Sequence, residues 1–389
     1  MYLSKKSMGI SESPTLAIDA KYKAMKAEGQ DVIGFGAGEP DFDTPDHIKQ
    51  AAIDAINDGF TKYTPAAGTV ELKKAICAKL EKENGLIYKP NQIVVSNGAK
   101  HSLVNAFSAI LNPGDEVIIP APYWVSYPEM VKIADGVPVT LMTTEENGFR
   151  FTIDEMRAAI TPKTRAIIIN SPSNPTGMMY TEDDLRQLAE LAVEKNIYVV
   201  SDEIYEHLIY DGGRHTSIAS FGEEIQNLTI TVNGVSKSYS MTGWRIGYTA
   251  SAPEIAKIMS NVQSHATSNP CSISQKAALA AISGPQDQIK VMRAEFQKRR
   301  DYMVSRINAM DGVSCLKPEG AFYTMMNISK LIGKVAKDAD DLCAKLLDDV
   351  KLALVPGTGF EAPNYVRWSY ATSMENIEKG LDRLEQFLR

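Results

Sequence analysis

Seven short runs of apolar, β-branched residues recur between residues 92 and 250: 92–96, 116–120, 137–142, 165–170, 197–201, 228–233 and 246–250. Helical periodicity fills most intervals between them, as in 99–111, 152–160 and 181–195. A strand that is apolar on both sides needs cover on both faces. Alternating strands and helices meet that need with a parallel sheet between two helical layers. The pattern therefore predicts an α/β fold whose larger part is a mostly parallel, seven-stranded sheet sandwiched by helices.

The flanks read differently. Residues 15–28 have helical spacing and stop at Gly29, and 34–47 hold too much Gly and Pro for a regular element. Thr44-Pro45-Asp46 reads as a helix start, with Thr44 as cap and Pro45 at the first helical position. Beyond about residue 253 the chain turns α+β, with a long charged helix over 285–310, strands at 322–326 and 366–369, and a closing helix at 374–388. A chain of 389 residues has room for two or three domains at roughly 100–200 residues each. The expected division is an N-terminal arm and part of a small domain (1–44), a large domain (45–285) and a small C-terminal domain (286–389).

Composition narrows the function. With 44% hydrophobic and 23% charged residues, the chain is neither disordered nor fibrous. A net charge of −7, from 41 Lys+Arg against 48 Asp+Glu, argues against a nucleic-acid or anionic-membrane binder. Four cysteines without a CxxC pair read as buried free thiols, and five histidines without HExxH or HxH spacing give a metal site no support. The first ten residues lack the apolar core of a signal peptide, and no stretch approaches the ~20 apolar residues of a membrane helix. A cytoplasmic protein is expected.

In open α/β sheets, ligands bind beyond the carboxyl ends of the strands. Asn97-Gly98-Ala99-Lys100 follows the first strand and opens a helix. Pro122-Tyr123-Trp124 follows the second. Asn170 to Gly177, Asp202-Glu203-Ile204-Tyr205 and Gly234-Val235-Ser236-Lys237 follow the fourth, fifth and sixth, and Gly243-Trp244-Arg245 lies close behind. Helix-start amides with a hydroxyl and an arginine suit a phosphate. Tryptophan suits a flat ring, a carboxylate suits a protonated ring nitrogen, and a lysine among apolar neighbours can attack a carbonyl. Pyridoxal 5′-phosphate offers all four features in one molecule.

Six runs in this sequence resemble, in order, the class I (fold type I) aminotransferases, and most of all the gamma subgroup of bacterial aspartate aminotransferases. They are Ala37-Gly38-Glu39-Pro40-Asp41-Phe42, Tyr63-Thr64-Pro65-Ala66-Ala67-Gly68, Asn174-Pro175-Thr176-Gly177, Ser201-Asp202-Glu203-Ile204-Tyr205, Ser236-Lys237 through Gly243-Trp244-Arg245-Ile246-Gly247, and Val366-Arg367-Trp368-Ser369. The resemblance implies that Lys237 bonds the cofactor aldehyde and shuttles the proton, that Asp202 pairs with the pyridine nitrogen, and that Tyr205 and Asn174 bond the 3-oxygen. It implies Trp124 stacked on the ring, and Ser236, Arg245 and the amides near Gly98 and Ala99 on the phosphate. A tyrosine matching Tyr63 reaches the phosphate of the other subunit, which implies a homodimer with sites at the interface. Arg367 would take the substrate α-carboxylate, assisted by Gly38 and Asn174. Lys100 would take the distal carboxylate of a dicarboxylic substrate, with Ser13 and Thr15 closing over it.

The expected reaction is ping-pong transamination, L-aspartate and 2-oxoglutarate giving oxaloacetate and L-glutamate. The alternatives on the same fold are broader specificity for aromatic, alanine or prephenate-type substrates, or a β-lyase, which would not need 2-oxoglutarate. A dinucleotide-binding dehydrogenase is disfavoured, because Gly34-Phe35-Gly36-Ala37-Gly38 lacks GxGxxG spacing.

Overall fold

The computed structural model describes residues 2–11 and 14–389, without the side chains of residues 14–17 and 19. Its centre is the seven-stranded sheet. The strands are β1 (Ile93–Ser96), β2 (Glu116–Ala121), β3 (Val137–Met142), β4 (Thr164–Asn170), β5 (Tyr198–Asp202), β6 (Thr229–Gly234) and β7 (Gly247–Ala250). Every bound lies within one residue of the sequence expectation. The spatial order is β1-β7-β6-β5-β4-β2-β3. Only β7 runs antiparallel to its neighbours, β1 and β6. β4, β5 and β6 are buried almost end to end, as a sheet covered on both faces requires.

Local chemistry sets the helix starts. Thr152 and Thr181 each accept a backbone N–H while Glu155 and Asp184 reach back, closing two capping boxes at helices Ile153–Ala159 and Glu182–Lys195. Thr44 does not cap the next helix as expected. That helix is Asp46–Asn57, with Pro45 at the cap position. The Thr44 hydroxyl donates to the Ser240 carbonyl at 2.7 Å and accepts from the Trp244 indole at 3.0 Å, so a tertiary bridge has claimed it. The loop expected over 34–47 is shorter at both ends, because Ile33–Gly34 forms a short strand parallel to Leu352–Ala353 and helix Asp46–Asn57 takes the other end.

The C-terminal part is a four-stranded antiparallel sheet, Val355–Pro356, Tyr365–Ser369, Tyr323–Asn327 and Ser314–Cys315, packed with helices Asp287–Asn308, Ala339–Val350 and Met374–Leu388. Phe35 joins its core against Trp368, with ring centroids 4.6 Å apart. The thiols are not uniformly buried: Cys315 and Cys343 are, Cys77 is half-buried, and Cys271 is exposed at the start of helix Ser272–Ser283. Among the described residues, no helix is long and apolar enough to cross a membrane.

Gly177 ties the large sheet to the C-terminal one. Its carbonyl accepts from the N–H groups of Glu319 and Gly320, both at 2.8 Å. Its φ is +71°, and a Cβ there would lie 2.5 Å from Pro318 Cβ and 2.6 Å from the Tyr323 carbonyl oxygen. A left-handed alanine costs about 1–2 kcal/mol and the clash about 1–3 more. Gly177→Ala should therefore lower the urea unfolding midpoint clearly; an unchanged midpoint would show that these segments yield without cost.

Candidate active site

The carboxyl ends of β4, β5 and β6 converge on one cleft. Asp202, the last residue of β5, is 3% exposed. Its Oδ2 accepts from the Tyr127 hydroxyl at 2.7 Å and its Oδ1 from the Ile204 N–H at 3.3 Å. Burial pushes this carboxyl up to about 6, and the Tyr127 bond holds it from rising further. It is therefore mostly ionised at neutral pH. Sequence reasoning missed Tyr127. Its signal was the three-residue spacing from Trp124, which sets the two rings edge to face, 5.4 Å apart.

Lys237 stands three residues beyond β6. Its Nζ donates to the Gly38 carbonyl and lies 5.9 and 5.8 Å from the ring centroids of Tyr205 and Phe322. Burial lowers this amine to about 8; Glu39 opposes the fall and Arg245 adds to it. A lysine so placed carries an appreciable neutral fraction near physiological pH, which a nucleophile needs.

The Tyr205 hydroxyl lies 3.1 Å from that of Tyr323, a second residue that sequence reasoning missed. The Tyr323 ring stacks under the Arg367 guanidinium at 4.6 Å, with Phe360 at 5.0 Å. Arg367 is 2% exposed. It donates to Asn174 Oδ1 at 2.9 Å and to the Gly36 carbonyl at 3.0 Å, and among the described residues its Nε has no partner.

The other end of the cleft is built for an anion. Gly98, at φ +86°, opens helix Ala99–Ile110. A Cβ on Gly98 would lie 2.4 Å from Arg245 Nη2, and one on Gly247 would lie 2.2 Å from the Ala99 nitrogen. Only glycine at 247 leaves room beside the Ala99 amide, while the Gly98 N–H already donates to the Ser96 carbonyl at 2.8 Å. Arg245 donates to the carbonyls of Thr242 at 2.9 Å and Asn97 at 3.4 Å. Buried Ser236 precedes Lys237 on the same turn. Lys100 lies 4.7 Å over the Trp124 ring and donates to Ser126 Oγ at 3.2 Å; burial, then Arg245, lowers its amine.

The fold thus gathers Gly38, Gly98, Ala99, Lys100, Trp124 and Asn174 with Asp202, Tyr205, Ser236, Lys237, Arg245 and Arg367. It leaves Tyr63 outside, 90% exposed. Ser13 lies outside the described residues, and of Thr15 only its place in helix Pro14–Ala27 is described. Behind the site, Glu83, Glu206 and His207, and Glu203, Glu206 and His215, form two clusters of metal-ligand type that no sequence spacing revealed. The Lys79 ammonium already sits against Glu206.

The family described as "Aminotransferase class I and II" matches residues 30–384. The aspartate aminotransferase of Bacillus subtilis (strain 168) is 50% identical, covering 100% of this chain and 99% of that protein. The aspartate/prephenate aminotransferase of Cereibacter sphaeroides is 49% identical, covering 99% and 98%. Among solved structures, the Rhizobium meliloti aspartate aminotransferase superposes with a TM-score of 0.96 at 48% identity, covering 99% and 98%. The Thermus thermophilus aspartate aminotransferase with maleate gives 0.94 at 43%, covering 100% of both chains. With these matches spanning its length and its fold, the chain belongs to the class I and II aminotransferases.

Proposed function

We propose that this protein is a pyridoxal 5′-phosphate-dependent aspartate aminotransferase, moving the amino group of L-aspartate to 2-oxoglutarate by a ping-pong sequence. One observation carries the reading. Lys100, Lys237, Arg245 and Arg367 line one cleft, and among the described residues none is ion-paired to a carboxylate. Such a site calls for anionic ligands.

The residues fit the cofactor. The helix start at Gly98 and Ala99, with the Ala99 amide, Arg245 and Ser236, suits its phosphate. Trp124 offers a flat face, Asp202 a fixed carboxylate for the ring nitrogen, and Tyr205 and Asn174 polar groups for the 3-oxygen. When bound, the cofactor supplies an aldehyde and a ring able to take up an electron pair. The rest falls to the protein. Lys237 Nζ would hold the group through its aldehyde and, once displaced by the substrate amine, would be free to take the proton from the substrate Cα. Asp202 keeps the ring nitrogen protonated. Arg367, with an unpartnered Nε, forks the α-carboxylate, assisted by Gly38 and Asn174. Lys100 takes the distal carboxylate; the Thermus neighbour's maleate, a dicarboxylate, supports this. Ser13 and Thr15 belong to the same proposal.

Tyr63, exposed in one chain, is assigned to the phosphate of a second copy, so the working unit is a homodimer in the cytoplasm. The division into 1–44, 45–285 and 286–389 belongs to this reading too. The aspartate/prephenate relative favours, as a second reading, a wider substrate range on the same site.

Three outcomes test the proposal. Borohydride reduction of the holoenzyme should fix the cofactor on the tryptic peptide containing Lys237, and Lys237→Ala should bind cofactor yet lose several orders of magnitude in turnover. Label on another lysine, or turnover without 2-oxoglutarate, would refute it.

Lys100→Ala should cut kcat/KM for aspartate and glutamate by about 10–100-fold, the worth of a charge-assisted hydrogen bond. Alanine and aromatic donors should be largely spared; equal losses for all donors would move Lys100 to the phosphate.

Asp202 couples function to stability. Its folded carboxyl lies near 6, above the unfolded value. The folded state therefore holds its proton longer, and the apoprotein loses stability as pH rises through this window. The cost is complete above pH ~6, at about 3 kcal/mol. Asp202→Asn should thus raise the melting temperature of the apoprotein at pH 8 but not at pH 4, while kcat falls about a hundredfold or more.

A further inference from the structure

The turn from Asp202 to His207 has two faces. Asp202 and Tyr205 face the cleft; Glu203, Glu206 and His207 face the interior behind it. The Glu206 carboxylate is almost fully enclosed and accepts from Lys79 Nζ, from Asn84 Nδ2 at 2.8 Å and from Asn233 Nδ2 at 2.6 Å. Asn233 in turn accepts the Gly234 N–H at 2.7 Å. One ring nitrogen of His207 meets Ser238 Oγ at 2.9 Å, and the other meets Glu83 Oε2 at 2.9 Å.

Asn233 and Ser238 bracket the turn that carries Ser236 and Lys237. Both of its ends are therefore tied to the turn that carries Asp202 and Tyr205. Lys79, Glu83 and Asn84 all come from helix Val70–Asn84, which backs the two turns with one rigid element. A buried ion pair is a poor stabiliser on balance, because apolar residues of similar size usually replace it at little cost. Its presence here calls for a directional role. The Lys79 ammonium lies against Glu206 and 3.5 Å from Glu83, and Glu203 is held by Ser201, Ser217 and His215, so these carboxylates have partners without a bound cation.

We propose that Glu206, with Lys79 and His207, is a positioning network that locks the Lys237 turn to the Asp202–Tyr205 turn from the side away from substrate, and so sets where Lys237 Nζ stands in the cleft. The inference rests on the reading of Lys237 as the reacting amine. Loss of the lock leaves the chemistry groups intact but misplaced, and displacements of about 1 Å cost up to about a hundredfold in rate.

The test uses the cofactor-loaded enzyme with Lys79→Met and Glu206→Met combined, which removes both charges at once. Expected are a lowered melting temperature, because Asn84 and Asn233 lose their acceptor, a kcat lowered by about tenfold or more, and a KM for aspartate within about threefold. The amides of residues 233–238 should exchange hydrogen faster, and the pH midpoint of the bound cofactor's visible absorbance should move. A kcat within about threefold of the unsubstituted enzyme, or a lowered kcat with unchanged exchange and midpoint, overturns the proposal. Should the double variant fail to fold, Ser238→Ala decides, since it removes only the hydroxyl tie. A lowered kcat with a moved midpoint supports the lock, and unchanged values for both overturn it. The unsubstituted enzyme separates the two levels: if it carries no label at Lys237, the underlying reading fails and the lock with it, whereas effects confined to the variants belong to the lock.

Discussion

The architecture of the site depends on keeping one carboxylate dry. Asp202 ends the central strand β5, enclosed on all sides, with its charge held by a phenol and a backbone amide rather than by a cation. An anion in such a place is costly unless a positive partner arrives. The strand can hold that position only because its neighbours β4 and β6 are equally buried and their ladders leave few backbone groups unpaired. The sheet therefore serves as a rigid mount for a charge that the apoprotein alone would be more stable without.

Most of this was legible in the sequence because the sheet writes itself plainly. Runs buried on both faces are rich in apolar and β-branched residues and nearly free of charge until their ends, so β2, β4, β5 and β6 stand out against the charged helices that cover them. Once the strand ends are known, the residues just beyond them are the cleft. That is how Lys237, Asp202 and the Gly98–Lys100 helix start could be found together. Thr44 was misread because a cap and a tertiary bridge use the same hydroxyl, and only three-dimensional proximity to Ser240 and Trp244 decides between them.

Residues that act through other side chains were the least visible. Tyr127 and Tyr323 look like core aromatics, and both are buried. Their hydroxyls matter only through what they touch, Asp202 and Tyr205, which lie 75 and 118 positions away in the chain. The Lys79–Glu206 pair spans 127 positions, and nothing in either segment signals the other. Spacing rules reach along one element; they do not reach across a fold.

The loop after the short strand Ile33–Gly34 has a further consequence. Its Gly36 and Gly38 carbonyls accept from Arg367 and Lys237, the two groups assigned to the substrate carboxylate and to the covalent bond. For Arg367 the Gly36 carbonyl is thus a resident competitor of the substrate carboxylate. An incoming carboxylate gains the Nε donor but must compete with the Gly36 carbonyl for the other, so part of its affinity is a difference rather than a sum. The Gly36 carbonyl is in place to reclaim its Arg367 donor when the product leaves. Such exchange favours moderate binding and prompt release for both amino acid and oxo acid, which suits a reaction that must run readily in either direction.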